Sequence, residues 1–205
     1  MAFGLIALVG LLAALSMMVV LPKLETGPQD RKATLADVAY SRRLWPIYAI
    51  TAFTAGAHFA AYTFAEPFIG AIPDIGPTTV PILLFSFGLA GLLGSVLGGI
   101  LIDRFMRAVI VCALSTMAIA LIVMGWKGPN LGLMGVAACM MSWGVAISML
   151  FASLQTWILK ASGPLATPAA AVHTAVLNAA IGFGAVIGAV LLKVSGLSAV
   201  MLGLG

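Results

Sequence analysis

Residues 79–102 read TVPILLFSFGLAGLLGSVLGGILI, a run without a single charged side chain. A helix needs roughly 20 mostly apolar residues to cross the hydrocarbon core of a bilayer. Lipid offers no partner to a bare amide, so a spanning segment must satisfy its own backbone, as a helix does. A membrane β-strand would instead alternate over about 10 residues between turns. The stretch therefore predicts a transmembrane helix, and with it an all-α membrane protein.

Five more stretches of the same kind flank it, at about 2–22, 45–68, 108–126, 131–159 and 168–192. A seventh begins near Leu197 and reaches Gly205, too short to span. The fold expected is a polytopic bundle of six complete helices and a truncated seventh. Composition agrees, with 62% hydrophobic and only 8% charged residues in 205. Soluble domains carry about 25% charged residues, and a soluble fold of this size could not cover so much apolar side chain. Cys112 and Cys139 lie in apolar runs without metal spacing and read as small packing residues. Met1 to Pro22 lacks the basic start and cleavage site of a signal peptide, and is expected to remain as a helix.

The charges sort by side. Lys23, Arg31, Lys32, Arg42 and Arg43 fall in one polar stretch, Arg104 and Arg107 follow the third helix, and Lys160 follows the fifth. Of the basic residues, the opposite loops hold only Lys127 and Lys193. The positive-inside rule puts the first group in the cytoplasm. The net charge of +4 is thus a topological signal, and no nucleic-acid partner is expected. Trp45 and Trp126 stand at helix ends, where aromatic anchors sit. This orientation starts Met1 on the outer face, which predicts further chain upstream.

Glycines repeat at small-xxx-small spacing, as Gly94/Gly98 in the third stretch and Gly184/Gly188 in the sixth. Such spacing lets helix backbones approach, either as static packing or as a sliding interface. Both stretches are second in a group of three, a weak internal echo of the repeats on which transporters are built.

Polar groups at membrane depth are costly and tend to face a cavity or a partner. Thr51, His58, Tyr62 and Glu66 are spaced by 7, 4 and 4, so they share one helical face. His58 near mid-membrane can couple protons, bond a substrate, or bond a neighbouring helix. Glu66 reads as a solvated carboxylate near the outer rim. Trp143 lies far from either interface and suits a stacking wall or plain core. Thr174 and Asn178 share a face, as pathway or helix glue, with His173 pointing elsewhere. The sequence holds no P-loop, HExxH, GxSxG or paired intramembrane aspartates. Neither an enzyme nor a cofactor or metal site is expected.

One loop carries a motif. Gly99-Ile-Leu-Ile-Asp103-Arg104-Phe-Met-Arg107 joins the third and fourth helices. Gly99 would allow a close helix end, and Asp103 would accept hydrogen bonds from the next helix or pair with a neighbouring base. This loop resembles the signature of the major facilitator superfamily, G-x3-D-[RK]-x-G-[RK]-[RK]. Gly99, Asp103, Arg104 and Arg107 match it, while Met106 and Ala108 depart from it. The run His58 to Phe68 is similar to the seventh helix of that superfamily's sugar-efflux (arabinose-efflux) and drug:proton antiporter branch. Ala171 to Gly184 resembles the eleventh, with His173 where asparagine is common.

The resemblance implies that 1–22 is the last helix of an N-terminal half. It makes 23–44 the cytoplasmic linker and 45–205 the C-terminal half, lacking the end of its last helix. It further implies a multi-pass inner-membrane carrier exporting a small organic solute, such as a sugar or drug, with protons as the expected coupling ion. A complete carrier would then need the missing N-terminal half. Thr51, His58, Tyr62, Trp143 and Asn178 would line this half's side of the pathway. Gly99, Asp103, Arg104 and Arg107 would steady the cytoplasmic gate. The alternative is a truncated, non-transporting scaffold or partner subunit within the bilayer.

Overall fold

The computed structural model describes Leu11, Leu15, Ser16 and residues 34–202 apart from Asp74, with backbone alone at Pro129. The chain divides into two units, Met1–Lys32 and Ala33–Gly205. In the first, Leu11, Leu15 and Ser16 are helical. The expected first helix otherwise lies outside the described residues, as does the linker up to residue 33.

The described residues of the second unit are mostly helical. Its helices are α1 Leu35–Ala39, α2 Trp45–Thr63, α3 Ala65–Gly70, α4 Thr79–Lys127, α5 Gly132–Ser162, α6 Ala166–Ser195 and α7 Leu197–Leu202. Single 3-10 turns at Gly128–Asn130 and Gly163–Leu165 lead into α5 and α6. Local chemistry explains the boundaries. Thr34 and Asp37 cap α1 reciprocally, each side chain taking the other's backbone N–H. Pro46 sits in the first turn of α2, where its missing N–H costs nothing. Gly163 and Gly196, at φ of 53° and 83°, turn the chain into and out of α6 in the left-handed region that favours glycine.

Two boundaries differ from the sequence reading. The stretch 45–68 is broken at Phe64 into α2 and α3, just ahead of Pro67. The stretches 79–102 and 108–126, expected as separate helices, form the single element α4. It is kinked at Phe105, whose φ of −130° and ψ of 31° are non-helical. The motif that joins them is thus a sharp break within one element.

Among the described residues, Thr79–Lys127 and Gly132–Ser195 are long and apolar enough to cross a membrane. Helix α2, which buries Thr51, Thr54 and His58, is not among them. The outer surface of α4 is apolar, with Ile82, Phe85, Leu92, Val96 and Ile100 all exposed. A water-soluble fold would not present such a stripe, and it suits contact with lipid.

Packing is crossed and parallel. Helix α4 packs most extensively on α5, and α2 on α6. The second helix of each group of three thus pairs with the first helix of the other group. Along the first seam, a Cβ at Gly94 would strike the backbone of Val145, while one at Gly98 would sit in ordinary contact with Met149. Along the second, Gly184 faces the backbone of Gly56 and Gly188 that of Ala60. The contacts ascend together in both pairs, so partners run in the same direction. Gly94, Gly184 and Gly188 therefore serve as close-packed points of the two seams. Gly99 does not, because a Cβ there would meet open space.

A matched pair of substitutions tests this assignment. Gly94→Ala is expected to destabilise the bundle by about 1–3 kcal/mol through overpacking. Gly99→Ala should be neutral or stabilising by up to about 1 kcal/mol, since alanine is the better helix former. Unfolding titrations in mixed micelles read both, and equal effects would contradict the packing described.

Candidate solute-pathway site

The inner face of α2 carries Thr51, Thr54 and His58, all buried, and half-buried Tyr62. Seven residues are close to two helical turns, so Thr51 and His58 lie on one line along the helix. His58 is the centre of a cluster of rings. Its imidazole stacks on Tyr62 at 5.4 Å and on Phe87 of α4 at 6.1 Å. It meets Trp143 of α5 edge-on at 5.4 Å and Phe151 at 5.8 Å. Phe87 and Trp143 close the group at 5.3 Å. These separations are those of favourable aromatic pairs. The glycine seam makes them possible: a Cβ at Gly144 would collide with the Phe87 carbonyl. A larger residue beside Trp143 would push α4 and its Phe87 ring away.

Two polar atoms in this cluster have no hydrogen-bond partner, His58 Nδ1 and Trp143 Nε1. Buried polar groups are nearly always paired, so each is a candidate contact for a bound molecule. The site is thus a closely packed cluster of rings, with Trp143 fully buried and two polar edges left unpaired.

Thr51 is held differently from the sequence reading. Its hydroxyl donates to the Ile47 carbonyl at 2.8 Å and lies 2.9 Å from His173 Nε2 of α6. His173 does point elsewhere than Thr174 and Asn178, and is buried against α2. Asn178 and Thr174 do share a face, but an exposed one, and Asn178 Nδ2 donates to the Thr174 carbonyl at 2.9 Å. Asn178 therefore neither joins the ring cluster nor bonds a neighbouring helix. Phe87, Phe151 and His173 were missed by the sequence reading. Apolar rings in apolar helices carry no signal there, and only the pairing of α2 with α6 brings His173 to Thr51.

At the kink of α4, Asp103 accepts a hydrogen bond from Lys160 Nζ at 2.8 Å. This is the pairing with a neighbouring base, rather than the helix-start role. Arg104 lies 5.3 Å over the Phe105 ring, and both Arg104 and Arg107 are exposed. The α2–α6 pairing sets Arg42 and Arg43, which precede α2, at the same end of the bundle as Lys160. No group of three or more metal-binding side chains occurs among the described residues.

Curated proteins align with almost the whole chain. It is 33% identical over 198 residues to a "Probable sugar efflux transporter" of Helicobacter pylori, covering 95% of this chain and 49% of that protein. A protein of the same name from Helicobacter acinonychis is 30% identical over 196 residues, with the same coverage. Another from Haemophilus influenzae is 29% identical, covering 91% of this chain and 46% of that protein. The chain resembles sugar efflux transporters. This bears out the resemblance drawn from the loop motif and the His58 and His173 runs. The chain spans about half the length of the curated relatives it matches. No family model matches it.

Asp103 gives a pH prediction. The Lys160 hydrogen bond, aided by its charge, holds the Asp103 carboxyl below its ordinary value. A depressed carboxylate contributes its pairing fully above the unfolded value, about 3.9. That contribution disappears as pH falls through the lower folded value. Carbon-13 NMR of the Asp103 side chain should therefore give a titration midpoint that rises in Lys160→Met. An unchanged midpoint would show that the pair does not form in solution.

Proposed function

We propose that residues 45–205 form the C-terminal half of a major-facilitator-type secondary transporter in the inner membrane. In this reading 1–22 is the last helix of the N-terminal half and 23–44 the cytoplasmic linker. The six long apolar stretches each span the bilayer, and the chain from Leu197 begins a seventh. The carrier exports a small organic solute such as a sugar or drug, coupled to protons. The relatives' names support sugar export, and the crossed pairing of α2–α6 and α4–α5 supports a fold built from repeated triplets.

The ring cluster around His58 carries the proposal. Aromatic faces stack on the apolar face of a sugar or drug ring, while a few placed polar atoms fix its orientation. His58 supplies an unpartnered nitrogen among these rings, suited to accept a proton or a substrate hydroxyl. Tyr62 and Trp143 flank it, and the facing wall comes from the N-terminal half. Rocking of the two halves exposes the wall to either side in turn. Asp103 and Lys160 close the cytoplasmic end, and Arg104 and Arg107 anchor it.

In the carrier containing these residues, His58→Ala should reduce export on the order of tenfold, the cost of one buried hydrogen bond. It should also flatten the dependence of export on pH. Unchanged export across several pH values would remove His58 from the mechanism.

The second reading is a non-transporting scaffold or partner subunit within the bilayer. Vesicles containing either the 205-residue chain or the chain with its upstream half separate the two. Sugar flux only with the upstream half supports the carrier, and no flux from either supports the scaffold. Flux from the 205 residues alone would overturn the need for a second half.

A further inference from the structure

Arg42 and Arg43 stand side by side in the turn between α1 and α2, and both are exposed. The turn is firmly held. The Leu44 and Trp45 amides both donate to the Ser41 carbonyl, and the Leu44 side chain is buried. Among the described residues no carboxylate pairs with either arginine. Asp37, the acid of α1, accepts from the N–H and hydroxyl of Thr34. Elsewhere at this end of the bundle, Lys160 bonds Asp103 and Arg104 lies over the Phe105 ring. Exposed Tyr40 and Trp45 flank the arginine pair. Rings and cations in this company belong at a membrane–water interface.

An apolar groove of about 330 Å³ opens beside this turn, where α1, α2 and α6 meet. Two of its lining residues, Ala39 and Trp45, bracket the arginines in the chain. Cα spacing of about 3.8 Å therefore keeps both arginine backbones within about 12 Å of the lining. Ala49, Ala52, Val172 and Val176 continue the groove along α2 and α6. Tyr48 adds ring carbon alone, because its hydroxyl is buried, and no charged side chain lines the groove. From Trp45 to Ala52 the lining follows α2 for about 10 Å. The groove thus runs along the helix axis, the direction in which an acyl chain lies in a bilayer.

We propose that the turn and groove together bind one anionic phospholipid, its phosphate on Arg42 and Arg43 and an acyl chain along the groove. A guanidinium presents a fork of N–H donors that matches a phosphate. Two adjacent forks without a carboxylate leave a local excess of positive charge, which an acidic headgroup neutralises. A zwitterionic headgroup brings its own cation to the arginines and is the poorer match. A soluble phosphate would leave the groove empty. The inference needs only a bundle embedded in a membrane, so it stands apart from what the carrier exports.

The test uses the full chain in phosphatidylcholine nanodiscs with a rising fraction of phosphatidylglycerol. Its four tryptophans are replaced by 5-fluorotryptophan, and the Trp45 line is assigned by Trp45→Phe. Phosphatidylglycerol should shift the Trp45 line saturably. Arg42→Gln and Arg43→Gln should each raise the fraction needed about fivefold, the loss of one cation at a membrane surface. Lys127→Gln with Lys193→Gln removes two charges from the opposite end and should change nothing. An equal loss in that control would reduce the effect to general surface charge and overturn the site. Ala49→Leu fills the groove and should also weaken binding, and unchanged binding there would overturn the acyl-chain contact. Inorganic phosphate should not move the line, and a saturable shift with phosphate alone would overturn the lipid as the occupant. A Trp45 line that no lipid composition moves would show that protein covers the groove, and overturns the proposal outright.

Discussion

Everything in this bundle depends on how closely helices approach where lipid gives no reason to associate. In water, apolar faces are driven together by the solvent. In a bilayer the acyl chains are as apolar as leucine, and association must come from packing and a few polar bonds. The chain meets this constraint with missing side chains. Gly91 and Gly94 bring α4 onto α5, and Gly144 answers from the other side. Gly56 and Gly184 do the same for α2 and α6. Large apolar residues are left for the outside, where α4 exposes Phe85 and Ile100.

The candidate site follows from those seams. Rings separated by 5–6 Å demand that three helices hold their distance to within a fraction of a ring width. Gly144 sits beside Trp143 and against the backbone of Phe87, so the contact that lets α4 and α5 touch also sets the spacing of two cluster rings. The Thr51–His173 bond does comparable work for the other seam. Interhelical bonds of this kind are worth roughly 0.6 kcal/mol in membranes, too little to hold α2 to α6 unaided. Its larger effect is on register, since it fixes which turn of α6 faces which turn of α2 and commits the proton of His173.

This division explains what the sequence made legible. Glycine spacing, apolar length and the break at the Asp103 motif are local properties, and each led to a real seam, helix or kink. The face shared by Thr51, His58 and Tyr62 was also readable, because helical periodicity depends on nothing outside α2. Partners were not readable. His173 lies off the Thr174–Asn178 face, and periodicity alone made it the outsider. The parallel pairing with α2 inverts that, burying His173 and leaving Asn178 exposed on its own helix. Phe87 and Phe151 are ordinary apolar residues until α4 and α5 are set beside α2. Gly99 matched a motif, but it faces open space while Gly98 faces Met149, because neighbouring helical residues point about 100° apart.

The two ends of the bundle's polar chemistry differ in strength, and the difference has a mechanical meaning. The ring cluster is buried and bound into the glycine seams, so it moves only with the helices that carry it. The Asp103–Lys160 pair is exposed on both sides, and solvated pairs of this kind hold weakly because water and salt compete for each partner. A firm pair would tie the kink of α4 to the end of α5 permanently. A weak one can form and break as the ends of these helices separate. The kink at Phe105 suits the same purpose, since it interrupts α4 where the pair attaches and lets its two arms respond separately. Rigid seams through the membrane and a weak clasp at one end are the combination that rigid-body rocking requires.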